Sequence, residues 1–346
     1  MSSVWPALLV AGSLGLAAVL TGAVRRHALR AGVMDVPNAR SSHTQPTPRG
    51  GGLAIVLTVA AAALCLWWFG GSLPASLILA LVGAGGLVAA VGYLDDRAGL
   101  GAGVRFGAHL AATVLALLLI GYANIAAAVL PWLPGPVSMV LVVLGVAWAL
   151  NLFNFMDGID GIAATEAAFV AGSAAWLISW RNDPDGLSLL LAALSAASLG
   201  FLAWNWAPAK IFMGDVGSGF LGFALALLAI ATVVEGTLSL WTWLILTSLF
   251  FADATVTLVR RVLRGERWYA AHRSHAYQHL TRRWRSHSRV TLLFLVLNVC
   301  LLLPLAAWSE TNRDVAALIA TATLLTTGAL ALVSGAGRPE GGAAGS

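Results

Sequence analysis

Long apolar runs alternate with short polar segments along most of the chain. A transmembrane helix needs roughly 20 mostly apolar residues, and eleven stretches of the 346-residue sequence satisfy that rule. The predicted spans are residues 4–24, 53–69, 75–93, 106–122, 137–153, 162–180, 187–204, 218–235, 238–259, 290–308 and 314–334. The pattern predicts an all-α polytopic membrane protein with about eleven transmembrane helices, or ten if one stretch does not cross. Residues 121–136 fit either a short extra helix or a re-entrant turn.

The composition excludes a soluble enzyme and a disordered chain. Apolar residues make up 59% of the sequence and charged residues only 10%, whereas soluble domains carry about 25% charged residues. A disordered chain would combine few apolar residues with high charge. The 37 glycines and 14 tryptophans fit a membrane protein, in which small residues let helices approach and tryptophans lie at the interfaces. Cys65 and Cys300 lie inside apolar runs and predict neither a disulfide framework nor a metal site.

The basic residues are concentrated on alternate connections between the spans. Of the 20 Lys and Arg residues, 18 fall in segments that share one side of the membrane. Those segments are 25–52, 94–105, 154–161, 205–217, 260–289 and the residues after 334. By the positive-inside rule we expect a periplasmic N-terminus and a cytoplasmic C-terminus. The first span is not predicted to be a signal peptide, because its arginines follow it instead of preceding it.

Carboxylates and amides gather in the second and third of these segments. Ionisable groups at a membrane edge are costly and usually functional. Asp95 and Asp96 are adjacent, and neighbouring carboxylates resist ionising together unless a cation neutralises them; a solvated turn is the alternative. Asn154, Asp157 and Asp160 follow at spacing i, i+3, i+6. They form either a polar stripe on a continuing helix or, given the intervening glycines, a helix end that approaches a ligand.

The fourth and fifth segments carry a pattern typical of anion binding. Asp215 lies between Gly214 and Gly217, which predicts either a simple helix cap or a helix N-terminus that offers backbone N–H groups to an anion. His272 and His275 lie in an arginine-rich loop. We expect that loop to bind phosphate by charge-assisted hydrogen bonds. Ordinary positive-inside charge, with attraction to anionic lipids, is the alternative for its arginines.

These segments together predict phosphoryl transfer at the membrane surface. Carboxylate and amide oxygens suit Mg²⁺, whereas arginines and histidines suit phosphates. We predict a single transmembrane catalytic domain over residues 1–334, with active-site loops 25–52, 94–105, 154–161, 205–217 and 260–289, and a disordered Gly-rich tail over 335–346. A transporter or flippase of a phosphorylated or lipid-linked substrate is the alternative, although transporters place charges near the midplane in repeated, broken helices. An inactive scaffold is a third hypothesis.

Five ordered motifs resemble those of the polyprenyl-phosphate N-acetylhexosamine-1-phosphate transferases, the glycosyltransferase family 4 that includes relatives of phospho-N-acetylmuramoyl-pentapeptide transferase. They are DxPNxRSxH with PxPRGGG, GYLDDR, NxxNxxDGIDG, FMGDVGS and an HxxH loop, and they extend over about residues 35–280. The loop HRSHAYQHL is more similar to the bacterial enzymes that initiate O-antigen and other surface glycans. The cell-wall enzyme usually carries a histidine triplet at that place.

The resemblance implies a role for each matching residue. Asp215 would be the principal metal ligand, with Asn154 nearby, and Asp95 would act on the lipid phosphate as base or orienting group, with Asp96 beside it. The remaining residues would bind the two substrates: Asn151, Asp157 and Asp160 the nucleotide part, Phe212 the uracil ring, His272, Arg273 and His275 the diphosphate, Arg105 the lipid phosphate, and His43 and Arg49 the substrate from the first loop. Catalytic roles would fall to Asp95, Asp96, Asp157 and Asp215. We expect Asp253 to be a supporting residue that pairs with Arg260 or Arg261.

The implied reaction joins two substrates at the bilayer. A UDP-N-acetylhexosamine would give its sugar-1-phosphate to undecaprenyl phosphate, and UMP would leave. The cofactor would be Mg²⁺, or Mn²⁺ in its place. The enzyme would lie in the bacterial inner membrane, with its active site on the cytoplasmic face, and would take part in lipopolysaccharide or other cell-wall biogenesis. Nucleic acid is not an expected partner despite the pI of 9.9, and a homodimer is compatible with the sequence.

Overall fold

The computed structural model describes residues 4–37, 45–70, 73–181, 184–266 and 272–339. Within them the chain is almost entirely helical, apart from the two-residue strands β1 (Met34–Asp35) and β2 (Thr47–Pro48), which pair antiparallel. The helices are α1 Val4–Ala31, α2 Leu53–Gly70, α3 Ala75–Ala98, α4 Ala102–Ile120, α5 Tyr122–Val129, α6 Gly135–Met156, α7 Ile162–Arg181, α8 Gly186–Asn205, α9 Asp215–Val234, α10 Leu240–Leu246, α11 Ser248–Leu263, α12 Ala276–Trp284, α13 His287–Thr311 and α14 Arg313–Ser334.

The predicted membrane architecture is confirmed. Ten of the described helices are long and apolar enough to cross a membrane, and the pair α10–α11 supplies an eleventh crossing if it counts as one span. That pair bends by 76°, whereas the sequence predicts one continuous span over residues 238–259. The short α5 accounts for residues 122–129 of the region whose form the sequence leaves open.

The two most buried spans, α7 and α9, form the centre of the bundle. In each, 83% of the most apolar 18-residue window is buried, against 22% in α4. Helix α9 packs between α3 and α6, and α7 packs against α8. The buried positions of α7 are rich in alanine and those of α9 include Gly217, Gly219 and Gly222, and small residues let helix backbones approach closely. The start of α9 therefore lies at a fixed place in the middle of the bundle.

The end of the bundle opposite the predicted active-site loops carries aromatic side chains and a group of three ion-paired residues. Trp132 stacks on Trp241, with ring centroids 5.8 Å apart, as expected of an interfacial belt. The buried carboxylate of Glu310 binds both Arg181 (Nη1 at 2.6 Å) and Arg313 (Nη2 at 2.8 Å). These are the two basic residues that the sequence places on this side. We call these three residues the Glu310 knot.

The packed chain extends beyond the boundary predicted at residue 334. Ala336 is fully buried, and the Gly337 N–H donates to the Ser274 carbonyl oxygen at 2.7 Å. Residues 335–337 therefore belong to the folded domain, because their backbone groups have partners inside it. Residues 340–346 of the predicted tail lie outside the described residues.

Candidate active site

The first loop is held against the start of α9 by backbone hydrogen bonds. The Phe212 N–H donates to the Pro48 carbonyl oxygen at 2.8 Å, and the Gly51 N–H donates to the Phe212 carbonyl oxygen at 2.9 Å. A Cβ atom on Gly52 would lie 2.3 Å from the Cα atom of Gly217, so only glycine permits this approach. The contact brings Arg49 of the first loop beside Asp215.

Two arginines and three aspartates from three parts of the chain form one network. Arg49 contacts Asp96 (Nε to Oδ1, 2.8 Å) and Asp215 (Nη2 to Oδ1, 2.7 Å). Arg105, on α4, contacts Asp95 at 2.5 Å and the second oxygen of Asp215 at 3.1 Å. Asp215 is thus bridged by two guanidinium groups that come from different loops. We call this group, together with the adjacent Asp157, the aspartate cluster.

Asp96 positions the backbone at the start of α9. Its carboxylate accepts the N–H groups of Asp215 (2.9 Å) and Val216 (3.3 Å), which are otherwise unsatisfied at a helix N-terminus. Gly214 has φ +76°, and a Cβ atom there would lie 2.4 Å from Asp96 Oδ2. The side chain of Asp96 is 2% exposed, whereas that of Asp215 is 17% exposed. Asp215 is therefore the carboxylate of this pair that a ligand can reach.

Asp95 is anchored and only slightly more exposed than Asp96. Its Oδ1 atom accepts the Leu100 N–H at 2.6 Å, beside its contact with Arg105. Asp157 follows the last residue of α6. Burial raises the pKa of Asp157 well above its ordinary value, and the neighbouring Asp215 carboxylate raises it further, although Arg49 opposes this. Negative charge is in excess at the cluster even with Asp157 protonated, because the carboxylates of Asp95, Asp96 and Asp215 face two guanidinium groups.

The donor chemistry of this cluster fits Mg²⁺. Carboxylate oxygens of Asp95 and Asp215 are hard ligands of the kind that this ion prefers, and four carboxylates face only two guanidinium groups. Asn154, whose Nδ2 donates to Ser218 Oγ at 3.3 Å, lies at the same end of α9. Among the described residues no ready-made group of three His, Cys, Asp or Glu ligands is present. A cation would therefore share the Asp215 carboxylate with the arginines.

The segment 154–161 is a helix end and not a continuous polar stripe. Helix α6 ends at Met156 and the chain turns through Gly161, which has φ +78°. Asp160 lies beyond the helix end and has partners of its own: its carboxylate accepts the Ala209 N–H at 3.1 Å and lies 3.2 Å from His287 Nδ1. The stripe alternative is wrong because the turn separates the two aspartates. The nucleotide role expected of Asp160 stays a prediction.

The HxxH loop begins the short helix α12 and is fixed by a buried acid. Asp253, on α11, accepts the N–H groups of Ala276 (2.8 Å) and Tyr277 (3.0 Å) and lies 3.4 Å from His275 Nδ1. Asp253 therefore supports this helix N-terminus, and its expected pairing with Arg260 or Arg261 stays a prediction. Arg261, one of the two predicted partners, forms an ion pair with Glu266 at 2.7 Å.

The two histidines of this loop stack on each other against the segment 154–161. The rings of His272 and His275 have centroids 4.9 Å apart, and burial, with His275 and Arg261 nearby, lowers the pKa of His272 to about 3. The Tyr277 hydroxyl donates to the Phe155 carbonyl oxygen at 3.0 Å. The sequence does not identify this contact. In the sequence, the residue that could indicate this contact is Gly158, because a Cβ atom there would lie 2.1 Å from the Tyr277 hydroxyl oxygen.

The remaining predicted residues lie around the network. Phe212 is half-buried and is held by the backbone bonds described above, and Arg273 is half-buried between the two histidines in sequence. Asn151 donates back to the Ala147 carbonyl oxygen of its own helix at 2.7 Å. His43 lies outside the described residues. The binding and catalytic roles expected of all these residues stay predictions, although the structure brings Arg49 from the edge of the predicted site to its centre.

Comparison with known proteins identifies relatives over most of the chain. The family model described as glycosyl transferase family 4 matches residues 77–233. The chain is 34% identical over 315 residues to decaprenyl-phosphate N-acetylglucosaminephosphotransferase of Mycolicibacterium smegmatis, which covers 79% of this chain and 74% of that protein. It is 30% identical over 284 residues to the probable undecaprenyl-phosphate N-acetylglucosaminyl 1-phosphate transferase of Bacillus subtilis, covering 81% and 78%.

A more distant group shares part of the chain. The phospho-N-acetylmuramoyl-pentapeptide-transferase of Mycolicibacterium vanbaalenii is 30% identical over 257 residues, which covers 62% of this chain and 70% of that protein. The relatives match the resemblance that the motifs indicate, and they favour a transferase over a transporter. The chain belongs to glycosyl transferase family 4 and is a membrane-embedded phospho-sugar transferase.

Proposed function

We propose that this enzyme transfers N-acetylhexosamine-1-phosphate from a UDP-sugar to undecaprenyl phosphate, giving undecaprenyl-diphosphate-linked N-acetylhexosamine and UMP. The relatives support the acceptor class, because their names specify decaprenyl phosphate and undecaprenyl phosphate. The observation that carries the proposal is the Asp215 carboxylate, bridged by Arg49 and Arg105 beside two further aspartates. Such a cluster of fixed charges is suited to the transfer of a phosphoryl group.

The reaction requires one bond to form and one to break. An oxygen atom of the lipid phosphate attacks the sugar-bearing phosphorus of the donor, and the bond from that phosphorus to the bridging oxygen breaks, so that UMP leaves. A lipid phosphate is mostly dianionic near neutral pH, because its second pKa is about 6. It needs no base, and the role of Asp95 is then to hold Arg105 toward the acceptor phosphate.

Asp215, with Asn154 and Asp95 close by, would hold Mg²⁺. When bound there, the ion would supply Lewis-acid stabilisation of the charge that develops on the phosphoryl oxygens. Arg49 and Arg105 orient the two anionic substrates around the Asp215 carboxylate and neutralise part of their charge. Asp96 keeps the start of α9 in place by binding two of its N–H groups. Because this geometry is fixed in advance, less entropy is lost when the two substrates are brought into position to react.

We call the HxxH loop over residues 272–275 the histidine loop. This loop and the segment 154–161 would bind the donor. His272 is neutral at physiological pH, since its pKa lies at about 3, and acts as a hydrogen-bond partner for the diphosphate. Arg273 supplies the positive charge there. Phe212 and Asn151 are the proposed partners of the uracil and the nucleotide, together with Asp157 and Asp160.

The proposal places the site on the cytoplasmic face of a bacterial inner membrane. The concentration of 18 of the 20 basic residues in the segments predicted to share one side of the membrane supports this orientation. The product would begin a lipid-linked surface glycan of the O-antigen type. The identity of the hexosamine, Mn²⁺ in place of Mg²⁺, and assembly as a homodimer stay predictions of the sequence.

A single assay tests the reaction. The purified full-length protein in detergent is incubated with a radiolabelled UDP-N-acetylhexosamine, undecaprenyl phosphate and Mg²⁺, and lipid-linked label and UMP are measured together. We expect equal amounts of both products with at least one UDP-sugar, and none after addition of EDTA. Asp215→Asn should lower the formation of both products by about 10³-fold or more. Its control is Asp314→Asn, which changes an exposed aspartate at the opposite end of the bundle. Absence of both products with every UDP-N-acetylhexosamine would refute the proposal.

A further inference from the structure

Residues 335–337 leave the end of α14 and lie against α11 and α12. The Ala336 carbonyl oxygen accepts from Arg260 Nη1 at 2.7 Å, and the Gly337 carbonyl oxygen accepts from Arg264 Nη1. Ala336 is fully buried and packs with Ala276 and Ala331. Hydrogen bonds from charged donors are among the stronger ones in proteins. This short segment is therefore fixed by Arg260 of α11, the helix that also carries Asp253, and by Arg264, which directly follows that helix.

The same segment binds the backbone of the histidine loop. The Gly337 N–H donates to the Ser274 carbonyl oxygen at 2.7 Å. Ser274 is 2% exposed, its hydroxyl lies 2.9 Å from His272 Nδ1, and Asp253 binds the N–H groups of the two residues after His275. Asp253 of α11 thus holds the loop where it enters α12, and Gly337 holds it at Ser274, between the two histidines.

The fit of this segment depends on a glycine. Gly337 has φ +70°, a conformation that L-residues rarely adopt. A Cβ atom there would lie 2.8 Å from Arg260 Cβ and 3.3 Å from the Thr257 carbonyl oxygen. Both are close to the helix backbone and cannot move away as the end of a flexible side chain could. A side chain at residue 337 would therefore push the segment off α11 and break its bond to Ser274.

We propose that residues 335–337 are a C-terminal clamp that positions the histidine loop for the phosphate groups of the sugar-nucleotide donor. The inference rests on the proposed function in one respect, since that function assigns donor binding to the loop. Gly337 and Arg260 are positioning residues: neither touches substrate, and both act through the backbone of Ser274. Loss of the clamp therefore weakens donor binding in the ground state and the transition state alike, which raises KM for the donor and leaves kcat unchanged.

The test compares two full-length glycine variants. Gly337→Ala introduces a Cβ atom at φ +70° in contact with Arg260, whereas Gly236→Ala introduces one at φ +72° at the other end of the bundle, with nothing within 4 Å. Both carry the same backbone strain. We expect Gly337→Ala alone to raise the donor KM about tenfold, the factor that corresponds to one hydrogen bond, with kcat and the acceptor KM within twofold of wild type.

Arg260→Gln is a second variant, which removes the charged donor to Ala336 without altering the backbone of the clamp. Hydrogen–deuterium exchange of the peptide over residues 272–278 is a readout that needs no substrate. We expect faster exchange of that peptide in Gly337→Ala and Arg260→Gln, and unchanged exchange in Gly236→Ala.

The outcomes separate this inference from the proposed function. Unchanged exchange of residues 272–278 in both clamp variants would overturn the clamp, whether or not the enzyme is active. Faster exchange with an unchanged donor KM would overturn its role in donor binding. A wild-type protein that turns over no UDP-sugar would refute the proposed function, and the exchange measurement would still decide whether the clamp holds the loop.

Discussion

The aspartate cluster and the Glu310 knot are two ion-pair groups at opposite ends of one helical bundle. In the cluster, four carboxylates face two guanidinium groups, and Asp215 remains 17% exposed. In the knot, one fully buried carboxylate faces two guanidinium groups, and its Oε1 atom also accepts the Ser239 N–H and the Thr242 hydroxyl, each at 2.6 Å. The knot satisfies the carboxylate completely, whereas the cluster leaves negative charge uncompensated.

This difference distinguishes an ion-pair group that stabilises the fold from one that can act on a ligand, and it does so without reference to sequence motifs. Removal of a buried charge whose partners are all present leaves those partners unpaired and destabilises the fold. Excess like charge at a partly exposed site is unfavourable in the free protein and favours a cation or cationic ligand. We therefore expect substitutions in the cluster to change activity more than stability, and substitutions in the knot to do the reverse.

The largest expected effect is that of Asp215→Asn on turnover. The amide keeps the volume of the side chain but removes the charge that both Arg49 and Arg105 share. We expect kcat to fall by about 10³-fold or more, since a fixed charge at a phosphoryl-transfer site is lost. Product formation and thermal unfolding are measured together. A variant that loses activity only because it unfolds would contradict the assignment, and Asp314→Asn serves as the control.

The next effect is that of Glu310→Gln on stability. Two arginines lose their common carboxylate, and we expect the midpoint of thermal unfolding to drop by an amount equivalent to about 2 kcal/mol. Turnover per folded molecule should stay within twofold of wild type, because the knot lies at the other end of the bundle. Glu235→Gln, an exposed acid near the same end, should change neither quantity. A fall in turnover of the folded Glu310→Gln protein would show that the two ends are coupled.

The Mg²⁺ dependence of stability sharpens the comparison. A ligand that binds only the folded state at 100 times its Kd stabilises that state by about 2.7 kcal/mol. We expect saturating Mg²⁺ to raise the unfolding temperature of the wild type and of Glu310→Gln by a similar amount, and that of Asp215→Asn by much less. If Asp215→Asn responded like the wild type, the metal would lie elsewhere.

The spans of this protein are predictable from the sequence because the length of an apolar run is a local property. The 76° bend between α10 and α11 is not, since both halves are apolar and no proline or glycine lies between them at Thr247. Arg49 illustrates the corresponding limit for the site. Its sequence position predicts a peripheral loop, and only the contact of residues 48–52 with residues 212–217 moves it beside Asp215. Asp160 is the reverse case, because the helix ends before it and its carboxylate contacts Ala209 and His287.

The smallest expected effect concerns pH and the histidine loop. The pKa of His272, at about 3, lies below its ordinary value because burial disfavours the imidazolium form. When the loop opens, His272 regains an ordinary pKa near 6.5. As the pH falls, the open form of the loop therefore binds a proton before the closed form does. The closed loop is therefore fully favoured above about pH 7 and is progressively disfavoured as the pH falls toward 5. We expect the donor KM to rise by a few-fold over that range.

Two variants identify the histidine responsible. His272→Gln should raise the donor KM at pH 7.5 and should make it less dependent on pH between 7.5 and 5.5, whereas His27→Gln, an exposed histidine on α1, should keep the wild-type profile. The opposite profile, with tighter donor binding at pH 5.5 that disappears in His272→Gln, would mean that the imidazolium form binds the diphosphate. That result would contradict a neutral, packed His272. A half-buried ring that stacks on His275 is protonated only when it leaves this environment.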